Sequence, residues 1–297
     1  MPPRRLLLVL NRKAKAGETS IDPVLERLDK AGVGIAHTYS DDPSGLHDFV
    51  VAHAGEADAL VVGGGDGTVS SAVGAALDTG LPLGVLPMGT GNDFARTIGV
   101  PLDLPGAADV IAAGVRRRVD VGTVNDIPFL NVASLGISVE LAQQLTTETK
   151  RRFGTMGYVL TSFAVLFKAR TFGAVIQTPE GRVRVRTLQI GVGNGRHFGG
   201  GLTVATDASI DDGLLDLFSL ETERLWRLFL LAPALRSGDH HAFQDVRSAR
   251  ATEFEIHTNR PRPINVDGEI RTVTPARFGI RPAALEVFAP PFRPPAS

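Results

Sequence analysis

The first hundred residues alternate short apolar runs with helix-like segments. The apolar runs are RLLLVLN (5–11), VGIAHTY (33–39), DALVVGG (58–64) and LPLGVLP (81–87). Between them, Asp22 offers an N-cap with Pro23 at the first helical position, and further helices are predicted over 46–54 and 68–77. Continuous apolar strands that alternate with helices are typical of a parallel sheet covered on both faces. The sequence therefore predicts an N-terminal, Rossmann-like parallel α/β domain, which binds ligands at the carboxyl ends of its strands.

From about residue 120 the pattern changes to an alternation of polar and apolar residues. RVRVRTLQIGVG (182–193) places arginines on one face of a strand and valines on the other, and EFEIH (253–257) alternates likewise. PINVDGEIRTV (263–273) has the form strand, Asp-Gly turn, strand. These signals predict a mostly β, C-terminal antiparallel β-sandwich domain with one helical stretch from about residue 148 to 170. We place the domains at residues 1–123 and 124–297, with the active site in the cleft between them.

Composition narrows the class of protein. At 297 residues the chain has the length of two ordinary domains, and a net charge of −1 provides no global basic field for nucleic acid. The absence of cysteine excludes disulfides and thiolate chemistry and suits a cytoplasmic location. The longest apolar stretch, 156–167, is shorter than the roughly 18–20 residues of a membrane-spanning helix. The stretch is interpreted as a buried helix with solvated ends, and its basic flanks would alternatively suit a helix at an anionic membrane surface.

Two glycine-rich loops follow neighbouring strands of the predicted parallel sheet. In the first, VVGGGDGTVS (61–70), the glycines allow backbone N–H groups to approach phosphates. Asp66 lies inside this loop, where a carboxylate repels phosphates unless a cation lies between them. The loop therefore indicates a site for a nucleotide with Mg²⁺, and the alternative is a tight turn with Asp66 as a capping residue. The second loop, LPMGTGNDFAR (86–96), carries another carboxylate, Asp93.

Together GGDGT (64–68) and GTGNDFAR (89–96) resemble the diacylglycerol kinase catalytic domain family, which includes bacterial soluble lipid kinases, sphingosine kinases and ceramide kinases. The resemblance extends along nearly the whole chain, through RRRVDVGTVN (116–125), HFGGGLTVATDASIDDGLLD (197–216) and NVDGEI (265–270). It implies ATP and Mg²⁺ as cofactors. The nucleotide-binding residues that it implies are Asn11, Ser40, Gly64, Gly65, Asp66, Gly67, Thr68, Gly89, Thr90 and Asn92.

The resemblance also implies the residues that support phosphoryl transfer. Asp66, Asp93 and Asp120 would position the catalytic Mg²⁺, partly through water, because this ion gives up its hydration reluctantly. Glu269 would be the general base that takes the proton from the acceptor hydroxyl. A second, structural Mg²⁺ would be held by one carboxylate and two backbone carbonyls, those of Asp212, Ser209 and Leu214. The phosphates would be held by backbone N–H groups around Gly65, Gly67, Thr68, Gly89 and Thr90.

Three serines depart from the family's pattern. Ser70 and Ser71 stand where the bacterial enzymes have Asn and Glu, which puts nucleotide contacts or helix packing in question. Ser138 stands where an Asp is common, which bears on substrate contacts.

Without the resemblance, several of these residues have simpler interpretations. The pair at 267–268 is an ordinary hairpin-turn signal, and Glu269 is an exposed strand residue. Asp120 balances the arginine run at 116–118. The adjacent histidines at 240–241 point apart and indicate a polar loop rather than a metal site.

The function that follows from these motifs is an ATP-dependent lipid kinase, which transfers the γ-phosphate to the hydroxyl of diacylglycerol or a related lipid. A soluble-acceptor kinase, such as an NAD kinase, is an alternative because GGDGT is shared with that class. A nucleotide-binding regulator that has lost its chemistry is another. The expected partners are ATP and a lipid at the membrane surface, reached by peripheral contact, without nucleic acid; a homodimer is a further option.

Overall fold

The structure of the chain is a computed structural model. The structure describes residues 2–11, 20–40, 43–139, 170–195, 197–198, 202–203, 209–221 and 246–291. The predicted helix over 148–170 falls almost wholly outside these ranges, as do His240 and His241.

Five helices and eighteen strands follow one another along the described ranges. The helices are α1 (Asp22–Lys30), α2 (Leu46–His53), α3 (Asp66–Thr79), α4 (Asp93–Ile98) and α5 (Leu104–Ala113), with 3-10 turns at Pro43–Gly45 and Ala54–Glu56. The strands are β1 (Arg5–Leu10), β2 (Gly34–Tyr39), β3 (Ala59–Gly64), β4 (Leu83–Pro87), β5 (Arg116–Val124), β6 (Ile127–Phe129), β7 (Val132–Gly136), β8 (Phe172–Thr178), β9 (Gly181–Thr187), β10 (Gln189–Gly193), β11 (His197–Phe198), β12 (Leu202–Thr203), β13 (Leu215–Leu220), β14 (Val246–Ala251), β15 (Glu253–Thr258), β16 (Pro263–Val266), β17 (Glu269–Val273) and β18 (Ala276–Phe288).

The N-terminal strands form the parallel sheet that the apolar runs predict. Its order is β2-β1-β3-β4, and each neighbouring pair is parallel. All residues of β3 and β4 are buried, which explains why these strands show no polar alternation. The expected α/β architecture is confirmed.

Helix α3 begins two residues earlier than the sequence predicts. It starts at Asp66 instead of Thr68, because Gly65 is extended and takes the N-cap position. Asp66 therefore lies in the first helical turn, where the free N–H groups and the helix dipole favour a negative charge.

The second half of the chain forms the predicted β-sandwich. One face is a six-stranded antiparallel sheet in the order β14-β13-β10-β7-β16-β17. The other face consists of β18, β15, β8 and β9, and a second apolar core that includes Leu135, Ile190, Phe254 and Phe278 fills the space between the sheets. The predicted Asp-Gly hairpin is present between β16 and β17, with φ of 47° at Asp267 and 102° at Gly268.

The C-terminal strand β18 joins the two halves. Its first residues pair with β15, whereas Val287 pairs in parallel with Leu83 of β4, so one ten-stranded sheet runs through both halves. Leu285, Val287 and Phe288 are buried in the first core together with the N-terminal strands. The division into residues 1–123 and 124–297 stays a prediction, although the last strand contributes to the core built by the first residues.

The helices are short compared with the thickness of a bilayer. Within the described ranges, none of them has the length and apolar character needed to cross a membrane.

We expect Phe288→Ala to destabilise the whole protein, because the ring is fully buried in the N-terminal core. The free energy of unfolding should fall by about 3–5 kcal/mol, as is typical for a buried aromatic side chain. Urea denaturation followed by circular dichroism measures this change. Val51→Ala is the control, because Val51 is 48% exposed and its loss should cost less than about 0.5 kcal/mol. Equal effects of the two substitutions would contradict the packing of β18 into the first core.

Candidate functional site

The two glycine loops touch at the carboxyl ends of β3 and β4. A Cβ atom built on Gly89 would lie 2.5 Å from the Cα of Gly65, so glycine at position 89 permits the backbones to come this close. The Met88 N–H also donates to the Gly64 carbonyl at 2.9 Å. The predicted loops therefore form one surface and do not act as separate turns.

Asn92 fixes the shape of the second loop. Its backbone is left-handed, with φ of 52°, and its side-chain amide makes two hydrogen bonds to Gly89, accepting from the N–H at 2.9 Å and donating to the carbonyl at 3.0 Å. The Gly89 N–H, which was expected to hold phosphate, is thus already used, and the Thr68 N–H donates to the Gly65 carbonyl at 3.0 Å. The remaining expected phosphate donors are those of Gly65, Gly67 and Thr90.

Asp66 links the two loops through its carboxylate. Its Oδ1 accepts a hydrogen bond from the Phe94 N–H at 3.1 Å, in the first turn of α4. Burial raises the pKa of Asp66, and the nearby carboxylates of Asp93 and Asp267 raise it further. Several acids close together in a half-buried place are unfavourable without a positive charge, so the donor set fits a hard divalent cation such as Mg²⁺.

A cavity of about 300 Å³ lies on the surface of the first loop. It is lined by Asn11, Gly65, Gly67, Thr68, Ser71, Gly89 and Glu269. Asn11 is fixed at the cavity because its N–H donates to the Gly63 carbonyl and its Nδ2 donates to Thr68 Oγ1, both at 2.9 Å. The structure therefore brings together residues that the sequence places 258 positions apart, from Asn11 to Glu269.

Glu269 stands between this cavity and a second one. It is the first residue of β17, its side chain is 55% exposed, and its Oε2 lies 3.0 Å from Arg271 Nη1. The second cavity, of about 380 Å³, shares Ser71 and Glu269 with the first. Its other polar lining residues are Ser44, His47, Ser70 and Arg271.

Some predicted nucleotide residues lie outside these cavities. Ser40 directly follows β2 and is partly exposed, and Thr90 is exposed on the second loop. Neither residue lines these two cavities. Their roles stay predictions, as does that of Gly64, the last residue of β3.

Asp120 is buried and binds distant backbone segments. Its Oδ2 accepts from the Gly213 N–H and its Oδ1 from the Ala283 N–H, both at 2.7 Å. Ala283 lies where the pairing register between β5 and β18 shifts, so Asp120 stabilises an irregularity in β18. Within the described ranges, ligand oxygens of Asp66, Asp93 and Asp120 do not all lie within 4.8 Å of one another, and the shared Mg²⁺ site of these three residues stays a prediction.

Asp212, the carboxylate of the predicted structural Mg²⁺ site, is bound by a guanidinium. Arg250 Nη2 donates to its Oδ2, and Arg250 Nε lies 2.9 Å from Oδ1 of the buried Asp216. The N–H groups of Ser209 and Leu214 donate to the same carboxylate. A cation would have to displace Arg250 here, so the arrangement does not fit the ion as it stands.

Asp267, which the sequence pattern predicts to be an ordinary turn residue, has a structural role in the site. The side chain is buried, and its carboxylate accepts from three consecutive backbone N–H groups at residues 130–132 and from Ser70 Oγ. No local signal distinguishes this aspartate from a turn residue, because its partners lie far away in the chain. Ser138, another departure from the family's pattern, bonds to Gln189 and Ser134.

We expect Gly89→Ala to separate the two loops. The added Cβ would meet the Gly65 backbone at 2.5 Å and Asn92 Oδ1 at 2.8 Å. Affinity for ATP, measured by calorimetry, should fall at least about tenfold, and the free energy of unfolding by about 1–3 kcal/mol. Gly55→Ala is the control, because nothing lies within 4 Å of a Cβ at that position. Unchanged ATP affinity in the Gly89 variant would contradict the role of the loop contact.

We expect the turn at Asp212 to be stable without a divalent cation. A chelator should leave the melting temperature of the native protein unchanged, whereas Arg250→Gln should lower the free energy of unfolding by about 1–3 kcal/mol. Arg247→Gln, on the same strand, is the control, because Arg247 is more exposed and its pair with Glu221 should contribute under about 1 kcal/mol, whereas Arg250 also contacts the buried Asp216. A large loss of stability on chelation of the native protein would show that the cation is needed here.

Two family models match consecutive parts of the chain. Residues 5–124 match the model of the diacylglycerol kinase catalytic domain. Residues 131–289 match that of the YegS C-terminal NAD kinase beta sandwich-like domain.

Individual relatives match over most of their length. A protein of Mycobacterium tuberculosis named diacylglycerol kinase is 34% identical over 277 residues, which cover 90% of this chain and 88% of the relative. A Pseudomonas aeruginosa protein named "probable lipid kinase YegS-like" is 33% identical over 292 residues, covering 96% and 94%. A crystal structure from Bacillus anthracis superposes with a TM-score of 0.85 at 25% identity, covering 98% of this chain and 97% of that one. The chain belongs to the diacylglycerol kinase catalytic domain family.

Proposed function

We propose that this protein is an ATP-dependent lipid kinase that transfers the γ-phosphate of ATP to a lipid hydroxyl, with diacylglycerol as the leading acceptor. The observation that carries the proposal is that Glu269 lines the same cavity as the glycine loops. A carboxylate beside a phosphate-binding loop can take the proton of an acceptor hydroxyl while that hydroxyl attacks the γ-phosphate. Membership of a kinase family supports this chemistry.

The partly buried Asp66 and the buried Asp93 at the loops support a role for Mg²⁺. Asp66 and Asp93 would hold the ion at the phosphates, with Asp120 acting through water. Mg²⁺, when bound, neutralises charge on the transferring phosphoryl group. The protein contributes the N–H groups of the first loop and the free N–H groups of the first turn of α3, which favour bound phosphate.

The second cavity suits the nucleoside part of ATP better than an acyl chain. The Ser44 and Ser71 hydroxyls, the His47 imidazole and the Arg271 guanidinium line it, beside Ser70, whose hydroxyl donates to Asp267. Ser71, His47 and Arg271 already contact Gly67, Asp78 and Glu269, and their remaining donors and lone pairs can bond to a ribose and a base, whereas an acyl chain would gain no such contact at this polar surface. The acceptor would then approach Glu269 from the exposed side of β17.

The surface beside Glu269 supports peripheral contact with a membrane. Ile270 and Val273, also on β17, are 44% and 49% exposed although both are apolar. A lipid acceptor has to be reached at a bilayer surface, and apolar side chains next to the proposed base suit that approach. A cytoplasmic location follows from this proposal, and a homodimer stays a prediction.

The test is transfer of labelled phosphate from Mg-ATP to a panel of lipids in mixed micelles. Diacylglycerol, ceramide, sphingosine and phosphatidylglycerol are the lipid acceptors, and NAD is the soluble acceptor. We expect Glu269→Gln to lower kcat about 100- to 10,000-fold, and Asp66→Asn or removal of the metal to reduce transfer strongly. Glu180→Gln, an exposed carboxylate in the turn between β8 and β9, should leave the rate unchanged.

Two results would contradict the proposal. Transfer to NAD in the absence of transfer to any lipid would support the soluble-acceptor kinase instead. Binding of ATP with no transfer to any acceptor, together with normal cellular function of the Glu269→Gln variant, would support a nucleotide-binding regulator.

A further inference from the structure

The carboxylate of Asp267 is a four-way hydrogen-bond acceptor in the interior of the protein. The residue is 7% exposed. Its Oδ2 accepts from the Leu130 N–H at 2.8 Å and from Ser70 Oγ at 3.0 Å. Its Oδ1 accepts from the N–H groups of Asn131 at 2.9 Å and Val132 at 3.0 Å. Burial raises the pKa of Asp267, and these four donors oppose that effect by stabilising the carboxylate. Each carboxylate oxygen of Asp267 therefore accepts two hydrogen bonds from the protein.

These contacts fix the turn that precedes Glu269. The backbone N–H of Asp267 donates to the Val132 carbonyl at 3.0 Å, so both the side chain and the main chain of this residue bind the start of β7. The Gly268 N–H donates to Asn265 Oδ1 at 2.8 Å, which closes the turn from the other side. Glu269 follows directly, paired with Val266 in the β16–β17 ladder. Its backbone position is thus set by Asp267.

Ser70 brings the phosphate loop into the same network. It lies in α3, one helical turn after Asp66 and Gly67, which follow the extended Gly65 of the loop. Its hydroxyl donates to Asp267 across 197 positions of sequence. A displacement of α3 would therefore displace the turn that precedes Glu269, and a displacement of the turn would displace α3.

We infer that Ser70 and Asp267 are positioning residues that hold Glu269 in register with the phosphate loop. The inference rests on the proposed kinase function, because it assigns the two residues a task in that reaction. Phosphoryl transfer needs the base, the acceptor oxygen and the phosphorus in line, and a misplacement of about 1 Å can cost about 100-fold in rate. The serine that departs from the family's pattern keeps a donor where the family has an asparagine, whose side chain can also donate.

The test compares hydroxyl-removing and donor-retaining variants. We expect Ser70→Ala to lower kcat about tenfold while the KM for ATP changes less than about twofold, because the hydroxyl acts through the turn. Ser70→Asn should restore most of the rate. Thr79→Ala is the matched control, because Thr79 Oγ1 donates within α3, to the Ala75 carbonyl at 2.7 Å, and its removal should leave kcat unchanged.

The same substitution in a second protein, the Glu269→Gln variant, separates a positioning role of Ser70 from a general effect on stability. In the Glu269→Gln protein, Ser70→Ala should cause little further loss of kcat, because the group it positions has been neutralised. An equal loss in both backgrounds would overturn the inference, as would a rise in KM for ATP with kcat unchanged, since either result assigns Ser70 a different role.

Amide hydrogen exchange distinguishes failure of this inference from failure of the proposed function. Even in a protein without measurable kinase activity, Ser70→Ala should increase exchange at residues 130–132 and at Glu269, whereas Thr79→Ala should not. Unchanged exchange in the Ser70→Ala protein would overturn the coupling between α3 and the turn, whatever the acceptor of the reaction proves to be.

Discussion

Two buried aspartates, Asp120 and Asp267, accept backbone hydrogen bonds from segments that are distant in the chain, and the shape of the site depends on them. Asp120 binds the N–H groups of Gly213 and Ala283, and Asp267 binds three N–H groups at the start of β7. A carboxylate has enough acceptor sites to hold several donors at once, and a buried one has to use them because it has left water. Each aspartate therefore holds together backbone segments that are far apart in the chain.

The same constraint explains why Asp66 differs from these two. Its carboxylate accepts from the start of α4, where the Phe94 N–H lies at 3.1 Å, and it is close to the carboxylates of Asp93 and Asp267. The protein therefore stabilises the negative charge of Asp66 less than that of Asp267, which accepts four hydrogen bonds. A ligand that brings a cation to the loops would gain more at Asp66 than at Asp267, whose two oxygens accept four hydrogen bonds. Asp267 thus serves mainly to hold distant segments together, whereas Asp66 is available to the metal ion that we propose.

The sequence was sufficient to predict those parts of the fold that depend on local pattern. Apolar runs identified β1, β3 and β4, the glycines identified both loops, and the Asp-Gly pair identified the β16–β17 hairpin. It was insufficient where a residue's partner lies far away in sequence. The pairing of Val287 with Leu83, the engagement of Asp212 by Arg250 and the four donors of Asp267 leave no trace in the residues beside them. The start of α3 was misplaced by two residues because Gly65, rather than Gly67, is the extended residue at the N-cap.

The two serines after the first loop now have different physical explanations. Ser70 retains a hydrogen-bond donor toward Asp267, so the substitution keeps the contact while shortening the side chain. Ser71 instead donates to the Gly67 carbonyl at 2.9 Å within its own helix, and it lines both cavities beside Glu269. A glutamate at position 71 would place a second carboxylate at these cavities and would fill part of the space between them. Serine removes that charge and leaves Glu269 as the carboxylate that both cavities share within the part of the chain that the structure describes. This chain's departure from the family's pattern therefore changes the charge at the cavities where we propose that the nucleotide binds, and it keeps the proposed base.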